Sequence, residues 1–534
     1  MTLPAVIITG ASGFVGRHLL EELKNDYRIF AIARRSQREC GAPIHPNIAW
    51  MQVDIGDREG LERTFREIRT AGGAKFLFHF AAYYNFEGSK REEYERTNVE
   101  GTRNVLEFVK DLGLSRLFFS SSVAACAFPE KGSALTESSP ADGDHIYAWS
   151  KRLGEEMVAR FSEIAPTCIV RFGAVYSDWC EYPPLYMFLN TWLGKSWKAR
   201  ILAGKGESAI PYIHIRDIIR FLQQLLQHDS LLERSEVLIA STTGCTSHRQ
   251  LFQDATRSYY GKQKDPVTIS ALLAGWGLIM MNVWGKLRGR PPFERPWMRH
   301  YIDLQLTIDN SLTCSRLKWI PDPRFRIERR LPFLIERMKS DPVEWHSRNL
   351  SLIRRVAFRP ELLIYQHLSG TEEAVVDLTV ETVRSLSSRE SFPHLGSMEG
   401  SELRWFVRLI YRLILTSIQS GNRLLLLNYL EVTRQSHFEG GLTATEICHL
   451  LQHLQDSAEK RLKEVDELKD CGQQVFDCVT MPIELAKDEI IAEYRLFERG
   501  ESPISDRTGP EREPTRQPRD LLEETIWQCL VQRK

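Results

Sequence analysis

Val6-Ile7-Ile8-Thr9-Gly10-Ala11-Ser12-Gly13-Phe14-Val15-Gly16 joins a short apolar run to three spaced glycines, and a helical pattern follows at once through Leu23. The apolar run reads as a first β-strand. Gly10 allows the tight turn, Gly13 lets backbone approach a pyrophosphate, and Gly16 lets the helix pack closely on the sheet, with phosphates at the helix N-terminus. Ser12, Phe14 and Val15 belong to the same loop. The flanking strand and helix are the context such a motif requires.

Outward from this stretch, Ile29–Ala33, Lys75–Phe80 and Arg116–Ser120 repeat the strand-like pattern. Gly16–Leu23, Leu61–Ile68 and Asn98–Leu112 read as helices, then a helix is expected around Ser150–Phe161 and a strand at Cys168–Phe172. Alternation of this kind predicts an α/β protein with a doubly wound parallel sheet. From about Ser177 the pattern becomes irregular, as expected of a small substrate-binding part. Arg34 and Arg35 end the second strand, eighteen residues after Gly16, where a carboxylate would favour NAD; two cations favour the 2′-phosphate of NADP, with NAD as the alternative. Asp54-Ile55 follows the next apolar run and is placed to reach adenine.

The chain of 534 residues carries 70 Lys+Arg and 70 Asp+Glu, so no net positive field supports a primary role on nucleic acid. Its ten cysteines are scattered without a CxxC and read as reduced residues of a cytoplasmic protein. Pro4-Ala-Val-Ile-Ile-Thr lacks the basic start of a secretory signal. Between Val267 and Gly285 no residue is charged, and Lys286, Arg288 and Arg290 follow. A membrane span, a helix lying on a membrane surface and an ordinary buried helix all remain open for it.

Further on, Ser120-Ser121-Ser122 precedes Tyr147-Ala148-Trp149-Ser150-Lys151. A Tyr and a Lys four apart share one helix face, and an ammonium beside a phenol stabilises the phenolate. Together with the glycine loop, Asp54-Ile55, His79-Phe80-Ala81-Ala82, Thr97–Thr102, Arg171–Tyr176 and Tyr212–Asp217, these motifs resemble the extended short-chain dehydrogenase/reductases, the NAD-dependent epimerase/dehydratase family. The resemblance implies a Rossmann-type unit over about residues 1–345. It implies Tyr147 as general acid/base, with Lys151 lowering its pKa and binding the nicotinamide ribose. Ser122 would hold the reacting oxygen, Ser121 being the alternative register, and Asn98 matches the family's helix asparagine. Ala81 and Ala82 would lie along the cofactor.

Val123–Ala127 and Arg171–Tyr176 lack the Tyr-Gly and the asparagine of nucleotide-sugar members and look more like the 3β-hydroxysteroid dehydrogenase or dihydroflavonol reductase branch. An apolar alcohol or ketone is therefore the expected substrate, with a sugar nucleotide as alternative, and a non-catalytic NADP sensor as a second class of function. Residues 346–398 read as a partly helical connection containing the Ser-rich Ser385–Met398, 399–499 as an all-α helical bundle broken at Ser417–Arg423, 500–520 as disordered and 521–534 as a short helix. His437, His449 and His453 read as ordinary helix residues, with no metal site. A homodimer, a regulatory partner of the helical domain and membrane-surface contact through 267–285 complete the expectations.

Overall fold

A computed structural model describes residues 3–38, 40–84, 91–194, 197–287, 296–353, 360–386, 391–420, 422–465, 468 and 471–498. The expectations for 500–520 and for a helix at 521–534 lie outside these residues. Two compact units form: Met1–Arg337 with Asn349–Arg354, and Met338–Arg348 with the residues from Arg355 onward.

In the first unit, six apolar runs become β1 (Ala5–Thr9), β2 (Arg28–Ala33), β3 (Ile48–Gln52), β4 (Phe76–His79), β5 (Arg116–Ser122) and β6 (Thr167–Phe172). Four short strands follow, β7 (Ala174–Tyr176), β8 (Ile201–Ala203), β9 (Ala209–Ile210) and β10 (Tyr212–His214), before β11 (Ser235–Ala240). The main sheet runs β11-β6-β5-β4-β1-β2-β3, every pair parallel. Alternate residues of β1 face opposite ways. Val6 and Ile8 pack with Leu19, Leu20 and Phe221 on one side, while Ile7 packs with Leu61, Phe65 and Val105 on the other. Strands buried on both faces explain why β1 reads as a continuous apolar run. The strand order reverses between β1 and β4, which opens a crevice beyond their carboxyl ends.

β5 and β6 pair in register, Ser121 opposite Arg171 and Ser122 opposite Phe172. Arg171 forms a two-pronged ion pair with Glu155 of the Ile146–Phe161 helix, at 3.0 and 2.7 Å, and donates to the Ser139 carbonyl. Both side chains are buried, and Ser121 donates its hydroxyl to the same carboxylate. The pair therefore locks the helix carrying Tyr147 and Lys151 against the sheet.

The second unit is helical. Gly400–Ser420, Leu425–Glu439, Ala444–Lys463 and Met481–Glu498 surround a core that includes Leu403, Ile410, Ile414, Leu450, Leu454 and Ile490. Thr443 and Glu446 cap the third of these reciprocally.

Three local expectations need correction. The Asn98–Leu112 helix is preceded by a π-helical turn, Tyr94–Glu100, and its α-helical part is Gly101–Val109. The expected break at Ser417–Arg423 begins later, because Ser417, Ile418 and Gln419 stay helical and buried in the bundle core. Val267–Ile269 is a strand paired with β8, so the helix is only Ala271–Leu287; among the described residues no helix is long and apolar enough to cross a membrane.

Arg171→Met should leave Glu155 buried without its partner. Urea unfolding at neutral pH is expected to show a loss of about 3–5 kcal/mol from the first unit. A change below about 1 kcal/mol would show that the pair does not anchor this helix.

Candidate active site

The first turn after β1 is dictated by space. Gly10 sits at φ +71°, and a Cβ there would lie 2.5 Å from the Ala81 amide nitrogen. A Cβ on Gly16 would lie 2.5 Å from the Gly10 carbonyl oxygen. The Phe14–Leu23 helix starts from Gly13 with no side-chain cap, which leaves its first amides available to an anion. Gly10, Gly13, Phe14, Val15 and Gly16 line one end of a cavity of about 720 Å³, and a side chain at Gly13 would meet only the Gly10 carbonyl before open space. Bare glycine backbone, uncapped amides and adjoining space fit the pyrophosphate of a dinucleotide.

Buried hydrogen bonds hold the strand ends. Ala81 donates its amide to the Thr9 hydroxyl, Thr9 bonds His79 Nδ1 at 2.6 Å, His79 Nε2 meets the Thr102 hydroxyl at 3.0 Å, and Thr102 donates to the Asn98 carbonyl. Because the Thr102 proton is spent on that carbonyl, the His79 proton belongs on Nε2 and Thr9 donates to Nδ1. Burial, reinforced by the nearby Lys151 ammonium, lowers the His79 pKa to about 3, so the ring stays neutral.

The serine run divides its work. Ser120 donates to the His79 carbonyl, Ser121 is taken by Glu155, and Ser122 accepts from the Ala124 amide while standing beside the Tyr147 phenol. Ser122, Tyr147 and Lys151 all line the cavity. Lys151 is buried and donates to the Ser120 carbonyl at 2.7 Å, its ammonium 5.8 Å from the centre of the Tyr147 ring. Burial lowers the Lys151 pKa to about 8, with Glu155 acting against it. Burial also pushes the Tyr147 phenol up, Tyr94 adds to the rise, and Ser122 counters it.

Other sequence-selected residues take different places. Asn98 is not on the cavity wall: its amide donates to the Tyr83 carbonyl and the Ser150 hydroxyl, and its oxygen accepts from the Tyr83 amide. It positions the Tyr147 helix against the loop after β4. Asp54 is engaged by Arg96 at 3.1 and 3.2 Å and by the Gly56 amide, while the Ile55 side chain is buried under Gly101. Arg34 is half-exposed, 3.9 Å from Asp54, and Arg35 reaches across to the Ser12 carbonyl at 2.6 Å. Ala82 lines the cavity; Ser12, Arg34, Arg35, Asp54, Ile55 and Ala81 do not.

Sequence reading missed the far walls. Tyr84 packs edge-on against Tyr147, with ring centres 4.6 Å apart, and His145 stacks nearly parallel to it at 6.2 Å. Tyr182 lines the cavity near Tyr147, and its hydroxyl has no hydrogen-bond partner among the described residues. It follows Cys180 and Glu181, two non-glycine residues at positive φ, so no periodic pattern betrays it. Trp297, Tyr301, Leu304 and Leu306 come from a distant segment.

Residues 6–240 match the model of the NAD dependent epimerase/dehydratase family. A putative dihydroflavonol 4-reductase of Synechocystis is 36% identical over 135 residues, covering 24% of this chain and 36% of that protein. The chain thus spans about a third of the length of that relative. A putative UDP-glucose 4-epimerase of Methanocaldococcus jannaschii is 23% identical over 255 residues, 46% of this chain and 80% of that protein. Among solved structures, gox2253 shares the fold with a TM-score of 0.50 at 20% identity, covering 62% of this chain and 97% of its own.

The lowered Lys151 pKa predicts a pH signature. Its unfolded value, 10.5, lies above the folded one, so between about pH 8 and 10.5 the unfolded chain binds more protons and stability rises with pH. Relative to Lys151→Met, the wild type should gain up to about 1.4 kcal/mol per pH unit across that window in denaturant titrations. Parallel stability curves for the two proteins would show that Lys151 is not buried as a cation.

Proposed function

We propose, for a chain whose N-terminal part is of the NAD dependent epimerase/dehydratase family, an NADP-dependent oxidoreductase acting at the alcohol or ketone carbon of an apolar small molecule. The observation that carries the substrate class is the charge of the cavity. Lys151 is the one Lys or Arg among its described lining residues, and it is committed to the Ser120 carbonyl. Beyond Tyr147 the walls include Phe128, Val175, Ile210, Pro211, Leu304 and Leu306, with the imidazoles His145 and His300 and the carboxylates Asp142 and Asp144. Diphosphates are held by cations and backbone amides, so acids and hydrocarbon at the substrate end oppose a nucleotide sugar and suit a neutral apolar body.

A bound nicotinamide dinucleotide supplies the two-electron donor or acceptor. The chain's own groups do the rest. The uncapped start of the Phe14–Leu23 helix holds phosphate oxygens, and Arg34, half-free at the end of β2, offers its guanidinium to a 2′-phosphate. Ser122 holds the substrate oxygen beside Tyr147, and the phenol gives or takes the proton at that oxygen. Lys151 fixes the electrostatic environment of that phenol. Tyr182, its hydroxyl unpartnered among the described residues, is a second donor in the same space.

NADPH oxidation measured against a panel of apolar ketones and of UDP-sugars tests the reading. Turnover with the ketones is expected, and Tyr147→Phe should reduce kcat by about 10²–10⁴-fold with the fold intact. Interconversion of UDP-sugars without ketone turnover would overturn the apolar assignment; cofactor binding with no turnover of either class would favour a sensor.

Cofactor choice is tested separately. Arg34→Asp should move the NADP/NAD affinity ratio toward NAD by about tenfold or more, since a charge-assisted contact is exchanged for repulsion. An unchanged ratio in binding titrations would show that Arg34 does not meet the 2′ position.

A further inference from the structure

The Ala271–Leu287 helix leaves a large apolar face in the open. Leu272, Leu273, Trp276 and Met280 are 80, 67, 68 and 70% exposed. At about 100° per residue they fall within an arc of roughly 100°. The inner side is apolar as well: Ala274 and Gly275 are buried, and Gly275 faces the aliphatic stem of Arg299. A helix apolar on both sides has no face suited to water.

Charge says what covers it. The chain as a whole is neutral, yet from Lys286 to His300 five cations, Lys286, Arg288, Arg290, Arg295 and Arg299, stand against the single carboxylate Glu294. Lys198 adds an ammonium 3.1 Å from the Met281 sulfur of the same helix. A second copy docked face to face would bring the Lys198 and Arg299 cations beside each helix together, and nucleic acid has no use for four projecting Leu, Trp and Met side chains. Hydrocarbon beneath anionic headgroups satisfies both the face and the cations beside it. The turn Pro296–Tyr301, packed on this helix, also sends Trp297, His300 and Tyr301 into the wall of the Tyr147 cavity.

We propose that the Ala271–Leu287 helix, with the Pro296–Tyr301 turn, is a docking surface for an anionic lipid bilayer, and that it sets the cavity wall at the lipid interface so that an apolar substrate reaches Tyr147 from the membrane. The docking stands on the helix and its charges; only the route of entry rests on the apolar-substrate reading.

Co-sedimentation of the full chain with vesicles tests it. The wild type should bind phosphatidylcholine vesicles containing about one third phosphatidylglycerol at least about tenfold more tightly than pure phosphatidylcholine, and raised salt should weaken that binding. The combined variant Leu272→Glu, Leu273→Glu, Trp276→Glu should lose at least about tenfold of the binding with an unchanged Tm, because all three side chains point into solvent. Absence of vesicle binding by the wild type, or equal binding by the variant, overturns the docking. So does a wild-type dimer that the variant splits into monomers while neither binds vesicles, which would give the face to a second copy. Turnover of a freely dissolved short-chain ketone is expected to be the same in both proteins. If no ketone is turned over but the vesicle result holds, the substrate reading falls and the docking remains.

Discussion

The site depends on a buried relay of small polar groups, Ala81 to Thr9 to His79 to Thr102 to Asn98, and from the Asn98 side chain to Tyr83 and Ser150. It joins β1, β4, the turn Tyr94–Glu100 and the Tyr147 helix at the level where the glycine loop begins. Each such bond adds about 1 kcal/mol net, but a partner removed leaves a buried group unsatisfied at about 1–3 kcal/mol. The relay has one consistent proton direction because His79 is too buried to charge. A ring able to titrate near neutrality would reverse a donor and break the chain of bonds. Fixing the strand ends this tightly is what lets Gly10 lie against the Ala81 amide with no room for a side chain.

A second anchor works from the other side of the same helix. Glu155 takes two bonds from Arg171 and one from Ser121. In doing so it engages the Ser121 hydroxyl and leaves that of Ser122, one residue on, beside the Tyr147 phenol. The difference between two adjacent serines is thus set by a carboxylate thirty-four residues after Ser121. Pleating supplies the alternation, and the buried ion pair decides which side is structural.

Much of this was legible in the order of residues, and the failures have a common cause. The glycine loop, the serine run and the Tyr147/Lys151 pair are local patterns whose meaning is set within one strand or one helical turn, and all line one cavity. Asn98, Asp54 and Ile55 were recognised as positions, but their side chains are spent on neighbours distant in sequence, Tyr83, Arg96 and Gly101. Tyr182 and the Trp297–Leu306 wall depend on irregular backbone and on long-range packing, and neither leaves a periodic trace. Val267–Ile269 shares composition with the helix after it, and only pairing with β8 separates the two. Ser417 and Gln419 look like loop formers, yet the bundle core buries them within a helix.

Burial acts oppositely on the two proton-bearing groups of the site, and this assigns their resting forms. It raises the Tyr147 phenol and lowers the Lys151 ammonium to about 8. At pH 7 the phenol therefore holds its proton, while the lysine, about one unit below its pKa, is about tenfold more often charged than neutral. The resting site therefore holds a protonated phenol beside an ammonium whose hydrogen bond goes to the Ser120 carbonyl.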